Sequence, residues 1–238
     1  MHFISVLSTL VTFAFALSVF NRYRYKRGPH LLFWGIGLLF YATGTLTTLL
    51  LSLAFNEWVL KAWYLSGAML TAAWLGQGTV FLLVRKRGVA QALAAGLALV
   101  SLLALALVLL APLTPAAAAF DTGAPVSSQY REILVRSAPI TVLTILLNIY
   151  GTLGLVGGAL YSAFLFWRKK VLAERMLGNL LIALGALMPA SAGSLLNAGL
   201  IDWHSVSEFL GAVIMYLGFL QATSTRPVEG KTRAEAPR

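Results

Sequence analysis

His204 and Glu208 stand four residues apart in the stretch "WHSVSEFL", so on a helix their side chains leave the same face. An imidazole and a carboxylate so placed can hold a cation or relay a proton. Asp202 precedes them, and Glu57 falls on the same side of the topology derived below. One histidine with scattered carboxylates lacks the ligand spacing of a metal site, so no metal or cofactor is expected. The other histidines, His2 and His30, do not help. His30 and His204 fall at opposite ends of apolar runs, separated by a bilayer core of about 30 Å.

A second polar group lies in "NEWVLKAWYLSG", residues 56–67. Glu57 and Lys61 are four apart with the acid first, the order a helical ion pair prefers. Glu208 is the alternative partner for Lys61, because an ionisable group one turn inside a membrane helix tends to face the bundle interior. Trp58, Trp63, Tyr64 and Trp203 are aromatic at the same boundary, where they form an interfacial belt or the rim of a pocket. Deeper in the apolar runs lie Thr43, Thr45, Thr47, Thr48, Gln77, Thr79, Asn148, Thr152, Ser191, Ser194 and Asn197, none of them charged. Such groups hydrogen-bond a neutral solute or join one helix to the next. The candidate ligand-binding set is therefore Glu208, Lys61, Trp63, Tyr64, Gln77, Asn197 and His204. No phosphate-binding glycine loop, GxSxG elbow, HExxH pair or dinucleotide fingerprint is present, so no catalytic residue is assigned.

These residues are positioned by a chain of 238 residues that is 59% hydrophobic and 11% charged, with a mean hydropathy of +0.82. Soluble domains hold about 45–50% apolar and about 25% charged residues; this is the composition of an integral membrane protein. The absence of cysteine excludes disulfides, thiolate metal sites and a cysteine nucleophile. A net charge of +10 without interleaved aromatic and basic patterning argues against a nucleic-acid partner.

Runs of about 20 apolar residues mark membrane spans, and seven are predicted: Phe3–Phe20, Leu31–Phe55, Val59–Val84, Val89–Leu113, Pro139–Trp167, Met176–Leu200 and Ser205–Ala222. Span one has its basic residues after the apolar run, in "NRYRYKRG", unlike a cleaved signal peptide. Fifteen basic residues fall in the first, third and fifth connections and the tail, against Lys61, Arg131 and Arg136 on the other side. The positive-inside rule then puts the N-terminus outside and the C-terminus in the cytoplasm, with the plasma membrane as the location.

Residues 56–79 and 200–223 echo one another. Glu57-Trp58 aligns with Asp202-Trp203, Gly67-Ala68 with Gly211-Ala212, Gln77 with Gln221 and Thr79 with Thr223. The expected plan is three plus one plus three, with parallel repeats over 1–87 and 139–225, span four (89–113) as linker helix and 226–238 as a disordered cytoplasmic tail. In plan alone this resembles the SWEET sugar carriers, whose site lies between the repeats. Pro189 in span six departs from that pattern, since Gly44 stands at the equivalent place in span two. Seven spans with an outside N-terminus also match the plan of rhodopsins, but span seven has no lysine for a Schiff base.

Gly151, Gly154, Gly157 and Gly158 give span five a small-residue face, which predicts tight helix packing, with homodimerisation as the alternative. Tyr130, Ile133 and Leu134 lie at helical spacing before span five and predict a short interfacial helix. The leading functional expectation is an all-α polytopic protein that binds or translocates a small neutral or weakly polar solute between its two three-helix units. The alternative is a membrane sensor or accessory subunit acting on a partner membrane protein through the basic loops.

Overall fold

The computed structural model describes residues 2–169, 173–197 and 203–223, with the backbone alone for His2, Ala173, residues 190–197, Trp203 and His204. Helices dominate throughout: α1 (His2–Lys26), α2 (Pro29–Leu53), α3 (Glu57–Leu83), α4 (Val89–Leu110), α5 (Val126–Ile133), α6 (Ala138–Arg168), α7 (Ala173–Asn197) and α8 (Trp203–Thr223). Six of these, α1, α2, α3, α4, α6 and α8, are long and apolar enough among the described residues to cross a membrane. Their exposed apolar side chains point the same way: Leu17, Leu99, Leu110 and Leu153 are each more than two-thirds exposed. In water such a surface drives aggregation, whereas acyl chains solvate it.

The helix ends follow local chemistry. Nothing in "NRYRYK" opposes helix, so α1 runs past the apolar stretch and stops where Arg27 takes a positive φ of 50° before Gly28 and Pro29. Proline at the first position then starts α2, where its missing N–H costs nothing. Asn56 caps α3, its side chain accepting from the Trp58 and Val59 amides at 2.9 and 3.2 Å. α4 ends at Leu110 rather than at Leu113, because Pro112 cannot continue it.

α3 and α6 each contain a widened π turn, at Tyr64–Leu70 and Leu153–Gly157. In the first, the Thr71 hydroxyl donates to the Ser66 carbonyl, five residues back, at 2.8 Å. This gives the widened turn a local partner for a carbonyl.

Packing joins the helices into a ring in the order α1, α2, α3, α6, α7, α8 and back to α1. α4 stands outside it against α3, where Trp74 donates its indole N–H to Ser101 at 3.1 Å. Where α3 meets α6 the backbones nearly touch: a methyl at Gly154 would lie 2.9 Å from the Gly76 Cα, and one at Gly76 would lie 2.8 Å from the Gly151 carbonyl oxygen. Gly151, Gly154 and Gly158 of α6 are thus covered by α3 within the same chain, while Gly157 is exposed.

The connection between α4 and α6 forms a cap. Pro115–Ala119 makes a 3-10 turn, Leu113 and Leu134 pair as an antiparallel bridge, and the Thr114 amide donates to the Ile133 carbonyl at 2.9 Å. The short helix α5 covers the stretch where helical spacing predicts one, and Ile133 and Leu134 are buried.

Candidate functional site

Six ring helices meet around a small apolar cavity of about 30 Å³. Its wall takes Phe15 and Val19 from α1, Trp34 and Leu38 from α2, Leu75 from α3, Leu155 from α6, Ile182 from α7, and Met215 and Phe219 from α8. Each side chain is there for a local reason. Phe15 and Val19 are one turn apart, as are Trp34 and Leu38, and Met215 and Phe219, so each pair shows one face to the centre. Leu155 sits inside the π turn of α6. The lining is apolar apart from the indole N–H of Trp34, which turns away to donate to Thr79 Oγ1 at 3.2 Å.

Towards the end carrying "NRYRYKRG", a polar layer begins one turn from the wall. Arg22 follows Val19 by three residues, His30 precedes Trp34 by four, Thr79 follows Leu75 by four, Thr223 follows Phe219 by four and Asn179 precedes Ile182 by three. Arg22 donates from its guanidinium to the Thr223 carbonyl at 3.3 Å, closing the seam between α1 and α8. His30 meets Trp34 edge to face, with ring centres 5.3 Å apart. Arg22 is near enough for its charge to act on the His30 ring.

At the opposite end, described residues of α1, α2 and α8 are tied together by hydrogen bonds. Thr12, fully buried on α1, shares a hydrogen bond of 3.1 Å with Thr45 on α2. Tyr41 donates to the backbone carbonyl of Glu208 at 2.7 Å, tying α2 to α8. Ala16, Ala42 and Ala212 are buried beside these bonds with at most 1% of their surface exposed. On the α1–α8 seam, Ser18 and Tyr216 share a 2.8 Å hydrogen bond, and Phe15 stacks on Tyr216 at 5.0 Å.

The residues singled out in the sequence lie elsewhere. Lys61 is 4% exposed and held on three sides: it pairs with Glu57 at 2.6 Å, donates to the Leu109 carbonyl at 3.0 Å and sits 5.0 Å from the Trp58 ring centre. The expected alternative pair with Glu208 is not formed, because Glu57 is one turn away on the same helix while α3 and α8 are not neighbours in the ring. Trp63 and Tyr64 are buried under the cap, where both rings meet Tyr130 on α5, at 5.2 and 5.7 Å between centres. The Tyr64 hydroxyl shares a 2.9 Å hydrogen bond with Thr144 on α6.

Gln77 is fully buried. Its amide donates to the Ala90 carbonyl at 2.9 Å and its carbonyl accepts from the Tyr150 hydroxyl, so it joins α3, α4 and α6. Asn148 does similar work, donating to the Ala68 carbonyl at 2.7 Å. Glu208 is half-buried on α8, where its backbone carbonyl accepts from Tyr41. The side chains of Asn197 and His204 lie outside the described residues, as do residues 198–202, Asp202 among them, and the tail 226–238. Among the described residues, no three histidine or acidic side chains gather closely enough to hold a metal ion.

Set against protein-family models, curated proteins and solved structures, the chain matches none. A search for polar groups passes over the cavity because its wall is hydrocarbon. Register was the available signal: Val19, Trp34, Leu75 and Phe219 all lie three to four residues inside a polar residue at the basic end of their helices.

Proposed function

We propose that this is a seven-helix protein of the plasma membrane, N-terminus outside, that binds a small apolar molecule between α1–α2–α3 and α6–α7–α8. One observation carries the reading: all six ring helices contribute side chains to a single apolar cavity. At about 30 Å³ it is smaller than small-molecule pockets of about 300–1,000 Å³, so a ligand enters by parting the ring side chains. Bound there, a ligand touches both halves at once, so its presence bears on how the halves sit together.

The two-repeat plan is supported by matching helix crossings. Gly44 on α2 packs on Gly67 on α3, and the corresponding Gly211 on α8 packs on Pro189 on α7. Seven residues away on the same faces, a methyl at Gly37 would meet the Leu75 amide nitrogen, and one at Gly218 the Ile182 amide nitrogen, each at 2.8 Å. A duplicated unit places its site between the copies, and the cavity takes its lining from both triplets. The polar solute expected from Gln77, Lys61 and Tyr64 gives way to an apolar one, because those side chains spend their hydrogen bonds on neighbouring helices.

Binding to the basic side, with α1, α2 and α8 tied together on the outer side by Thr12, Thr45 and Tyr41, suits either a carrier caught in one state or a sensor. In the sensor reading, occupancy is read by a partner at the basic connections.

Native mass spectrometry of the protein released gently from its own membrane tests the proposal. The expected result is a stoichiometric apolar adduct in the wild type that is lost from Leu155→Trp, which fills the cavity. An adduct retained by a folded Leu155→Trp variant would refute the site.

A further inference from the structure

We infer that the ring opens sideways into the bilayer between α1 and α8, at the basic end of that seam, and hinges where α3 meets α6. This rests on the apolar-cavity reading above and adds where its occupant enters. Two seams join the triplets, and their chemistry differs. Along α3–α6 the backbones lie against one another: Gly151 meets the backbone of Ala72, and Gly154 that of Gly76. Three side-chain bonds cross the same seam, from Asn148 to the Ala68 carbonyl at 2.7 Å, from the Tyr150 hydroxyl to Gln77, and between Tyr64 and Thr144 at 2.9 Å. Between α1 and α8 no glycine brings the backbones together. α1 contains none, and the two glycines of α8, Gly211 and Gly218, have α7 as their nearest neighbour.

Side chains close the α1–α8 seam instead. Ser18 and Tyr216 share a 2.8 Å hydrogen bond, and Arg22 donates to the Thr223 carbonyl at 3.3 Å. Phe15 meets Tyr216 and Phe219 with ring centres 5.0 and 5.5 Å apart. Rotamer changes undo contacts of this kind, whereas close-packed backbones part only when whole helices move. Phe15 and Phe219 also belong to the cavity wall, so the rings that close the seam close the cavity on that side. Ala14 and Leu17 are exposed beside half-buried Ser18, and Leu217 and Leu220 are exposed on α8, so the seam faces acyl chains. An apolar molecule dissolved in the bilayer reaches it without crossing water. The widened turns Tyr64–Leu70 and Leu153–Gly157 both lie in the α3–α6 contact, and such turns are places where a helix bends. Thr12, Thr45 and Tyr41 hold α1, α2 and α8 together towards the outer side, which confines the opening to the basic half.

Because the chain has no cysteine, nitroxide pairs report each seam separately. Tyr25→Cys with Leu220→Cys spans α1–α8, and Leu82→Cys with Phe164→Cys spans α3–α6; all four positions are exposed and outside the wall. Distances are read by pulsed electron paramagnetic resonance in lipid nanodiscs, without added ligand. Tyr216→Phe should raise the longer-distance α1–α8 population about fivefold, the ratio that one net hydrogen bond sets. Leu155→Trp, which adds bulk at the wall as an occupant does, should make that population the major one. The α3–α6 pair keeps a single distance in both variants. Lengthening at α3–α6, or equally at both seams, overturns the gate. An unchanged α1–α8 distribution in Tyr216→Phe, a change small enough to leave the fold standing, overturns it too. Either result leaves the apolar site intact where native mass spectra show the adduct in the wild type and its loss from Leu155→Trp. An adduct retained by folded Leu155→Trp sinks the cavity reading instead, and with it the gate's occupant.

Discussion

Replacing Gly154 and Gly157 by alanine, one at a time, tests the packing of α3 on α6 with a built-in control. Both residues lie in the same π turn, three positions apart, and both changes add one methyl group. At Gly157 that methyl meets nothing within 4 Å, whereas at Gly154 it would lie 2.9 Å from the Gly76 Cα and 3.0 Å from the Gly76 oxygen. Carbon atoms in good contact sit about 3.5 to 4.0 Å apart, so the α6 backbone must retreat by roughly half an ångström or more. Alanine is favoured over glycine in a helix by about 0.8 to 1.0 kcal/mol, a gain common to both variants that cancels in the comparison. What remains is the overpacking strain, about 1 to 3 kcal/mol.

For a chain of this length one kcal/mol corresponds to about 2 to 4 °C in Tm. Gly154→Ala should therefore melt about 2 to 12 °C below Gly157→Ala when followed by circular dichroism in a mild detergent. A Gly76→Ala, Gly154→Ala double variant should depart from additivity, because both methyls compete for one gap. Equal melting temperatures for the two single variants would refute the contact. A loss that grows on dilution would show instead that Gly154 faces a second copy of the chain.

Glu57→Gln should lower stability by about 1 to 2 kcal/mol, less than for a fully enclosed pair because Glu57 is 44% exposed. Adding Lys61→Met should recover most of that loss, since it removes the stranded ammonium; denaturation with and without the second change decides. Tyr130→Ala should loosen the cap by removing the ring that meets Trp63 and Tyr64, raising amide exchange over residues 111–137 with little change in α1 or α2. Because the chain has no cysteine, single introduced thiols report topology: Asp121→Cys should react with an impermeant maleimide in intact cells, and Arg87→Cys only after permeabilisation. The reverse pattern would invert the proposed orientation.

Membrane residence and helix positions were legible in the residues because both are one-dimensional properties. Apolar runs of bilayer length, basic residues after them and breaks such as "RGP" and "APLTP" depend on neighbours in the chain. The Glu57–Lys61 pair was legible for the same reason, being set by helix geometry across four residues. Glu208, Lys61, Tyr64 and Gln77 stood out because polar groups are rare in such a sequence, but rarity carries no direction.

Only the ring order decided which neighbours those groups meet. Lys61 found Leu109 on α4, Tyr64 found Thr144 on α6, and Gln77 bridged Ala90 and Tyr150, each satisfied by a helix distant in sequence. In a bilayer an unsatisfied polar group costs several kcal/mol, so helices turn their polar residues towards one another first. The space left over is therefore lined by Val19, Leu38, Leu75, Leu155 and Phe219, residues indistinguishable in sequence from their lipid-facing neighbours until six helices close around them.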